Sequence, residues 1–313
     1  MKCFQYKCAS ADQTGNQRDY PCLQIGAGST MIFYFTSTGN SLYAAKKFDN
    51  DLHSIPQEMK KEKRIYKAEQ IGIVCPLFEF DLPVIVRDFI MNSEFETEYF
   101  YFVMTYGMHH GGCAARNAEV FEKSGRHIDY FNTVKMHDNA LPVFDMDEQR
   151  RINPEKKVDE HLDAVKADLQ KKKHYIQPAS KEETDFYEGY KAHAIEYSAS
   201  NENPLYKVSD QCIGCGICTR VCPKGCIRIE DGRPVYNYSS CFGCMSCIHA
   251  CPRKAIGYAA LNEKNPNSRY RHLDIQLSEI ISSNQGVRTF SWTIYQSMST
   301  TDQAAISPRL LRY

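Results

Sequence analysis

The sequence predicts an α/β domain built on a doubly wound, parallel, five-stranded sheet, followed by a small α+β domain organised around cysteines. Two observations carry this prediction. In the first half of the chain, apolar runs rich in aromatic residues alternate with helical stretches, the pattern of a parallel sheet covered on both faces. Between Cys212 and Pro252, a cysteine pattern is then repeated at a fixed offset, which indicates an internal duplication.

Length and composition limit the number of domains and the classes of partner that we expect. The 313 residues suffice for two domains with connecting segments. The 38 basic residues balance the 38 acidic ones, so the charge does not indicate a nucleic-acid partner. No apolar run reaches the length of a membrane span, and cysteines reserved for metal imply a reducing compartment, so we expect a cytoplasmic protein. The predicted organisation is a disordered tail (1–29), the α/β domain (30–150), a helical extension and linker (151–204), the cysteine domain (205–262) and a mostly irregular C-terminal tail (263–313).

Periodicity and turn residues place the elements of the α/β domain. The five predicted strands are residues 31–35, 52–55, 70–75, 98–104 and 128–134. Helices are predicted at residues 42–48, 83–92 and 113–124, and two charged helices follow at 155–173 and 182–198. Ligands of such a sheet bind at the carboxyl ends of the strands, where the strand order reverses.

A turn rich in hydroxyl groups joins the first strand to the first helix. It consists of Thr36, Ser37, Thr38, Gly39, Asn40 and Ser41. Amides at a helix N-terminus lack partners and the helix dipole favours an anion there, so this turn is a candidate phosphate site. The alternative is a well-capped helix start, with Asn40 and Ser41 as local caps.

The motif T-x-T-G-N-S in this position resembles the phosphate loop of flavodoxins, which hold FMN. The sequence has neither G-x-G-x-x-G nor a Walker G-K-[ST], so a Rossmann nicotinamide site and a nucleotide hydrolase are not indicated. The resemblance implies that two further loops, 76–83 and 105–112, flank the flavin ring. It implies that Phe78 or Phe80 lies on one side of the ring and Tyr106 on the other, and it leaves open which of them stacks on it. The implied contacts are Pro76, Leu77, Phe78, Phe80, Thr105, Tyr106, Gly107, Gly111 and Gly112.

The cysteine repeat reads C-x2-C-x2-C-x3-C-P twice, and each cysteine recurs 29 positions later. It resembles the motif of bacterial two-cluster ferredoxins, in which the fourth cysteine of each run ligates the other cluster. The resemblance implies two 4Fe-4S clusters. Their ligands would be Cys212, Cys215, Cys218 and Cys251 for the first, and Cys241, Cys244, Cys247 and Cys222 for the second. Cys226 corresponds to Ala255 under the same offset, so we expect a small buried side chain near a cluster and not a ligand.

Taken together, residues 31–281 resemble fusion proteins that join a flavodoxin-like domain to a two-cluster ferredoxin. The resemblance implies electron transfer between two 4Fe-4S clusters and FMN, with other redox proteins as partners. One alternative is an oxidoreductase in which FMN reduces a small acceptor. Another is a flavin-free scaffold that carries a ferredoxin. No catalytic acid–base pair or nucleophile is evident in the sequence, which leaves open whether the protein is an enzyme.

Overall fold

The computed structural model describes residues 29–199 and 204–284, with the side chains of 194–199 and 239 excepted. The predicted tail at 1–28 and the end of the chain at 285–313 lie outside the described residues. The first part of the chain contains β1 (Thr30–Tyr34), α1 (Asn40–Phe48), β2 (Leu52–Ser54), α2 (Ile55–Glu58), β3 (Ile65–Lys67), β4 (Gln70–Pro76), α3 (Val84–Met91), β5 (Glu94–Glu96), β6 (Tyr99–Tyr106), α4 (Cys113–Lys123), β7 (Tyr130–Lys135), α5 (Met146–Ile152), a 3₁₀ helix (Asn153–Lys156), α6 (Val158–Gln170), β8 (Tyr175–Ile176) and α7 (Lys181–Ala199).

The central sheet is parallel, as predicted, but it has six strands in the described residues and not five. Their order is β2-β1-β4-β6-β7-β8, and the first five follow the order of flavodoxin-like doubly wound folds. The additional strand β8 pairs through Tyr175 and Ile176 with the outer edge of β7. Two residues are too few to show a strand period, so only the folded chain reveals this strand. A separate parallel pair, β3 with β5, was not predicted either.

The sheet forms because its inner strands are apolar on both faces. Every residue of β6 except the last is buried, and β4 is buried from Ile71 to Cys75. The backbone conformation of the preceding residue determines where a covering helix begins. Helix α1 starts after Gly39, which is left-handed with a φ of 107°. The predicted helix over 155–173 starts only at Val158, because Asn153–Lys156 is a 3₁₀ helix and Lys157 is left-handed.

The second part of the chain contains β9 (Tyr206–Val208), α8 (Ile217–Arg220), β10 (Ile227–Glu230), β11 (Arg233–Tyr236), a 3₁₀ helix (Tyr238–Ser240), α9 (Ser246–Ala250), β12 (Ile256–Tyr258) and α10 (Leu277–Asn284). Strands β10 and β11 form an antiparallel hairpin, and its turn residues Asp231 and Gly232 both have positive φ. A second antiparallel pair joins β9 to β12. Within the described residues, no helix combines the length and the apolar character that crossing a membrane requires.

The end of the described chain packs back onto the α/β domain. We call residues 268–284 the C-terminal strap. Its residues Tyr270, Ile275, Ile280 and Ile281 are buried in one hydrophobic core with the first strand and both cysteine runs. This region was predicted to be mostly irregular, but its last eight described residues form α10. The strap therefore brings residues from the end of the chain to the carboxyl edge of the sheet, where the candidate phosphate turn lies.

Candidate functional site

The first set of four cysteines surrounds a surface cavity in the C-terminal domain. The cavity measures about 360 Å³, its open mouth included. Cys212, Cys215 and Cys218 of the first run line it, and Cys251 of the second run completes the set. Burial, and then the charges of the other three thiols, raise the pKa of Cys218 to about 12. Thiolates that repel one another in this way are stabilised when a cation lies between them.

The second set converges in the same crossed manner. Burial raises the pKa of Cys244, and the charges of Cys222 and Cys241 raise it further. The pKa of Cys247 is also raised by burial, and by the charges of Cys244 and Cys222. Cys222 belongs to the first run, so each run lends its fourth cysteine to the other set. The structure thus brings together the two sets that the sequence predicts.

The repeated spacing favours a cluster over a single metal ion, since C-x2-C-x2-C-x3-C-P is the run that holds 4Fe-4S clusters. In the part of the chain that the structure describes, no group of three His, Cys, Asp or Glu side chains is arranged to hold one ion. A cubane instead holds its four cysteines on four separate iron atoms.

Backbone amides support the fourth cysteine of each run. The amide of Ala255 donates to Cys251 Sγ over 3.3 Å, and the amide of Cys226, at the same position in the first run, donates to Cys222. Such donors stabilise a thiolate or a cluster sulfur. The Cys226 thiol itself is buried, 3.4 Å from Cys222 Sγ. This contact, and then one with Cys241, raises the pKa of Cys226.

Two buried hydroxyl groups fit a sulfur-rich ligand at the second set. The Tyr206 hydroxyl has no hydrogen-bond partner among the described residues, and the Tyr236 hydroxyl has only the Cys247 sulfur beside it. Their pKa values are raised by burial first and then by cysteine charges, of which Cys247 is the largest for both tyrosines. A buried hydroxyl without an acceptor is costly, and the sulfur atoms of a bound cluster would supply one. The residues at the second set therefore fit a 4Fe-4S cluster.

The predicted phosphate turn lies at the carboxyl end of β1, as expected, but its polar groups are already engaged. The Asn40 side chain donates to the carbonyl of His137 over 2.9 Å and accepts from the Tyr270 hydroxyl over 2.7 Å. The hydroxyl of Thr38 accepts from the Asn139 amide, and those of Ser41 and Thr105 bond each other. None of the six residues of the turn is more than 8% exposed.

The strap and the second cysteine run close over this turn. The amide of His272 donates to the Thr38 carbonyl over 2.9 Å. A Cβ atom on Gly39 would lie 2.9 Å from the Cβ of His272. Ser246, which opens the short helix of the second run, donates to the Ser37 carbonyl over 3.0 Å. The turn is therefore held between two other segments of the same chain.

The aromatic rings that flank the predicted flavin position are also packed against the chain itself. Phe78 contacts Phe35 and Phe242, with ring centroids 5.8 and 6.1 Å away. Phe242 lies between Cys241 and Gly243, in the second cysteine run. Phe80 packs instead against Phe186 and Tyr190 of α7. Both phenylalanines therefore pack against the chain itself and are half-buried.

Helix α7 covers the third loop, and a carboxylate occupies its amides. Glu183 accepts from the amides of His110 and Gly111 over 3.0 and 2.6 Å. Burial alone would raise the pKa of Glu183, but the Gly111 amide and the two histidines of the loop lower it overall. Phe186 of the same helix stacks on His109 at a centroid distance of 3.9 Å.

The remaining predicted flavin contacts lie at the same edge of the sheet. The Leu77 amide donates to the Thr105 carbonyl and joins the second loop to the third. Gly107 packs against Asp138, which leaves no room for a Cβ atom there. The loops are thus brought together as predicted, and Pro76, Tyr106, Gly111 and Gly112 lie with them. In this arrangement, Glu183 accepts from the amides of the third loop, and the strap packs against Gly39 of the turn.

Several residues at these sites could not be identified from the sequence. Glu183 lies in a charged helix whose sequence is typical of a solvent-exposed one. Tyr270 lies outside any motif, 18 positions after the cysteine repeat. Tyr206 and Tyr236 do carry a signal, since each precedes a cysteine run by five or six residues. Only the fold shows that their hydroxyl groups face the second set.

Comparison with known families identifies the cysteine-rich region. Residues 191–256 match the 4Fe-4S dicluster domain family. The chain therefore contains an iron–sulfur domain of the ferredoxin type, and the match spans all eight cysteines of the two sets. No curated protein matches the chain significantly.

One similar solved structure is that of a candidate flavoprotein from Bacteroides uniformis ATCC 8492. The two share 15% sequence identity, over 40% of this chain and 96% of that one, with a TM-score of 0.28. This likeness is too low to bear on the fold or the ligand of the α/β domain.

Proposed function

We propose that this protein is a one-electron carrier of the ferredoxin type, with two 4Fe-4S clusters. The observation that carries the proposal is the crossed convergence of two sets of four cysteines within a region that matches the dicluster domain family. Bound clusters would supply one-electron oxidation and reduction. The cysteine side chains would hold them, and the backbone amides would stabilise the added negative charge.

The two sets differ in their access to partners. The first set opens to the surface through its cavity, beside the exposed residues Pro252 and Arg253. The second set is covered by the α/β domain, where Phe242 packs on Phe35 and Ser246 bonds Ser37. We therefore expect redox partner proteins to dock at the mouth of the first set, with the second set as the inner site.

The carrier works without flavin in this proposal. Support comes from Glu183 on the amides of the third loop, from α7 over Phe80 and from the strap over Gly39. The α/β domain then acts as a scaffold that buries one face of the second cysteine set. No observation in the structure favours the alternative of an FMN reductase with a small acceptor.

The proposal is tested by anaerobic preparation of the full chain, with iron, sulfide and flavin measured per protein. We expect about eight iron and eight sulfide, no flavin, and rapid oxidation of the dithionite-reduced protein by a second ferredoxin-type protein. Zinc in place of iron would refute the carrier. Stoichiometric FMN, together with turnover of a small acceptor without a protein partner, would support the reductase instead.

The contact of Glu183 with the third loop gives a separate prediction. Removing the carboxylate by Glu183→Ala takes a charge-assisted acceptor from two amides, a contact worth about 1.5–3 kcal/mol. We expect the amides of His110 and Gly111 to exchange hydrogen at least about tenfold faster, as measured by mass spectrometry. The matched control is Glu182→Ala, one residue earlier on the exposed side of α7. Equal exchange in the two variants would contradict the role of Glu183.

The wild-type protein and Glu182→Ala also test the proposal that no flavin is bound. FMN fluorescence should be unchanged by the wild-type protein and by Glu182→Ala, because the loop amides are already occupied. Quenching by the wild-type protein at a one-to-one ratio would show that α7 gives way to the cofactor, and the flavin-free proposal would then be wrong.

A further inference from the structure

Two tyrosine hydroxyls near the second cysteine set have no role in holding the fold. Tyr206, in β9, is 3% exposed, and the ring of Tyr236, in β11, lies 5.8 Å from it. The Tyr206 hydroxyl has no hydrogen-bond partner among the residues that the structure describes, and the Tyr236 hydroxyl interacts there only with the Cys247 sulfur. Burying an unpaired hydroxyl costs about 1–3 kcal/mol, so an acceptor that belongs at this place is missing from the chain's own atoms.

The surroundings of the hydroxyls identify that acceptor. The charge of Cys247 acts on both tyrosines, and those of Cys244 and Cys241 act on Tyr206 as well. These three cysteines belong to the second set, and Cys218 of the first set acts on Tyr236 more weakly than Cys247 does. The nearest acceptors that a loaded protein would offer are therefore the thiolate and sulfide sulfurs of the cluster held there.

The first set has no comparable hydroxyl groups. Apart from its cysteines, its cavity is lined by glycine, isoleucine, proline and one arginine. The arginine, Arg253, is exposed, so water screens its charge. Under the 29-residue offset of the repeat, Tyr206 corresponds to Val235 and Tyr236 to Lys207. The duplication has thus kept the cysteines in both halves but has placed both tyrosines at one cluster.

Backbone donors do not distinguish the second cysteine set from the first, because both sets have them. The amides of Cys226 and Ala255 serve the fourth cysteines of the two runs in the same way. What differs is burial: the second set lies under Phe242 and the α/β domain, whereas the first set opens to solvent. Burial in apolar surroundings disfavours added negative charge and lowers a reduction potential, and hydrogen bonds to the sulfurs raise it.

We propose that Tyr206 and Tyr236 donate hydrogen bonds to the sulfurs of the inner cluster, held by Cys222, Cys241, Cys244 and Cys247, and so raise its reduction potential against the effect of burial. This inference rests on the proposed function as a two-cluster carrier. The two hydroxyls replace the water that stabilises charge at the open first set. They keep the inner site reducible by an electron that arrives through the outer one.

The test is an EPR-monitored redox titration of the full chain in the wild type, Tyr206→Phe and Tyr236→Phe. Each substitution keeps the ring and removes only the hydroxyl. We expect the reduced-to-oxidised ratio of one cluster, at a fixed ambient potential, to fall about tenfold in each variant, equivalent to about 59 mV. The other cluster should titrate as in the wild type.

The matched control is Tyr238→Phe. Its ring stacks on Tyr236 at 5.2 Å, but its hydroxyl already donates to the Tyr206 carbonyl over 2.7 Å. We expect no change of potential in this variant. Equal shifts of both clusters, or the same shift in Tyr238→Phe, would overturn the proposal, as would unchanged potentials in Tyr206→Phe and Tyr236→Phe.

A second measurement distinguishes the loss of a hydrogen bond to the cluster from an indirect effect on the fold. Exchange into D2O should shift the iron–sulfur stretching frequencies of the inner cluster in resonance Raman spectra, and Tyr236→Phe should reduce that shift. Protein that binds two clusters but shows none of these effects would refute the tyrosine inference and leave the carrier proposal standing. Protein without iron would refute the carrier itself.

Discussion

Cys251→Ala is expected to remove iron from the outer cysteine set, although Cys251 lies in the second run. The side chain lines the same cavity as Cys212, Cys215 and Cys218, and no fifth cysteine lines it. A set of three thiolates lacks a ligand for the fourth iron atom. We expect between about one and four of the eight iron atoms to be lost, with the inner cluster retained. Iron analysis and EPR of anaerobically purified protein measure this.

The matched control for that variant is Cys226→Ala. This cysteine lies 3.4 Å from Cys222 Sγ, but it falls outside the repeated pattern, where Ala255 takes the equivalent position. We expect full iron content in Cys226→Ala. If Cys251→Ala disturbed the inner cluster instead of the outer one, the crossed assignment would be refuted.

Arg269→Met is expected to destabilise the protein by about 3–5 kcal/mol, because it leaves a buried carboxylate without its partner. The Arg269 side chain is 9% exposed and forms a 2.7 Å ion pair with Glu263, which is 5% exposed. The same guanidinium donates to the carbonyls of Ile248, Ile256, Pro266 and Ser268. It therefore ties the start of the strap to the second cysteine run and to β12.

Anaerobic urea unfolding measures this effect, with two comparisons. Arg228→Met breaks an exposed ion pair with Glu230 and should cost about 1 kcal/mol or less. The double variant Arg269→Met/Glu263→Leu should be more stable than Arg269→Met alone, because it removes the unpaired charge as well. A loss for Arg269→Met no larger than that for Arg228→Met would show that the buried pair does not hold the strap.

Much of the fold could be predicted because its signals are local. The strands of the parallel sheet are continuous apolar runs, and the β10–β11 hairpin follows from a turn of Asp231 and Gly232. The strand β8 could not be predicted, since Tyr175 and Ile176 form a strand only because the edge of β7 offers them a partner. The helical part of the strap was missed for a similar reason, because its stability comes from burial against distant residues.

A local motif at the candidate flavin site does not determine whether the site is open to a ligand. The turn from Thr36 to Ser41 has the residues of a phosphate loop and lies at the expected end of the first strand. Whether such a turn is open depends on what packs against it. Here Tyr270, which is 230 positions away in the chain, bonds Asn40. No local pattern near residue 40 can report that contact.

By itself, the sequence determined the cysteine pattern of this protein: eight thiols at fixed spacings in two tight, repeated loops. Short loops have few conformations, so neighbouring residues suffice to place their ligands. The tertiary structure alone decided that Glu183 and the strap contact the loops at the flavin-like edge, and that Tyr206 and Tyr236 are buried beside Cys247 of the inner set. The physical reason is that these contacts join segments far apart in the chain, and their geometry exists only once the two domains share a core.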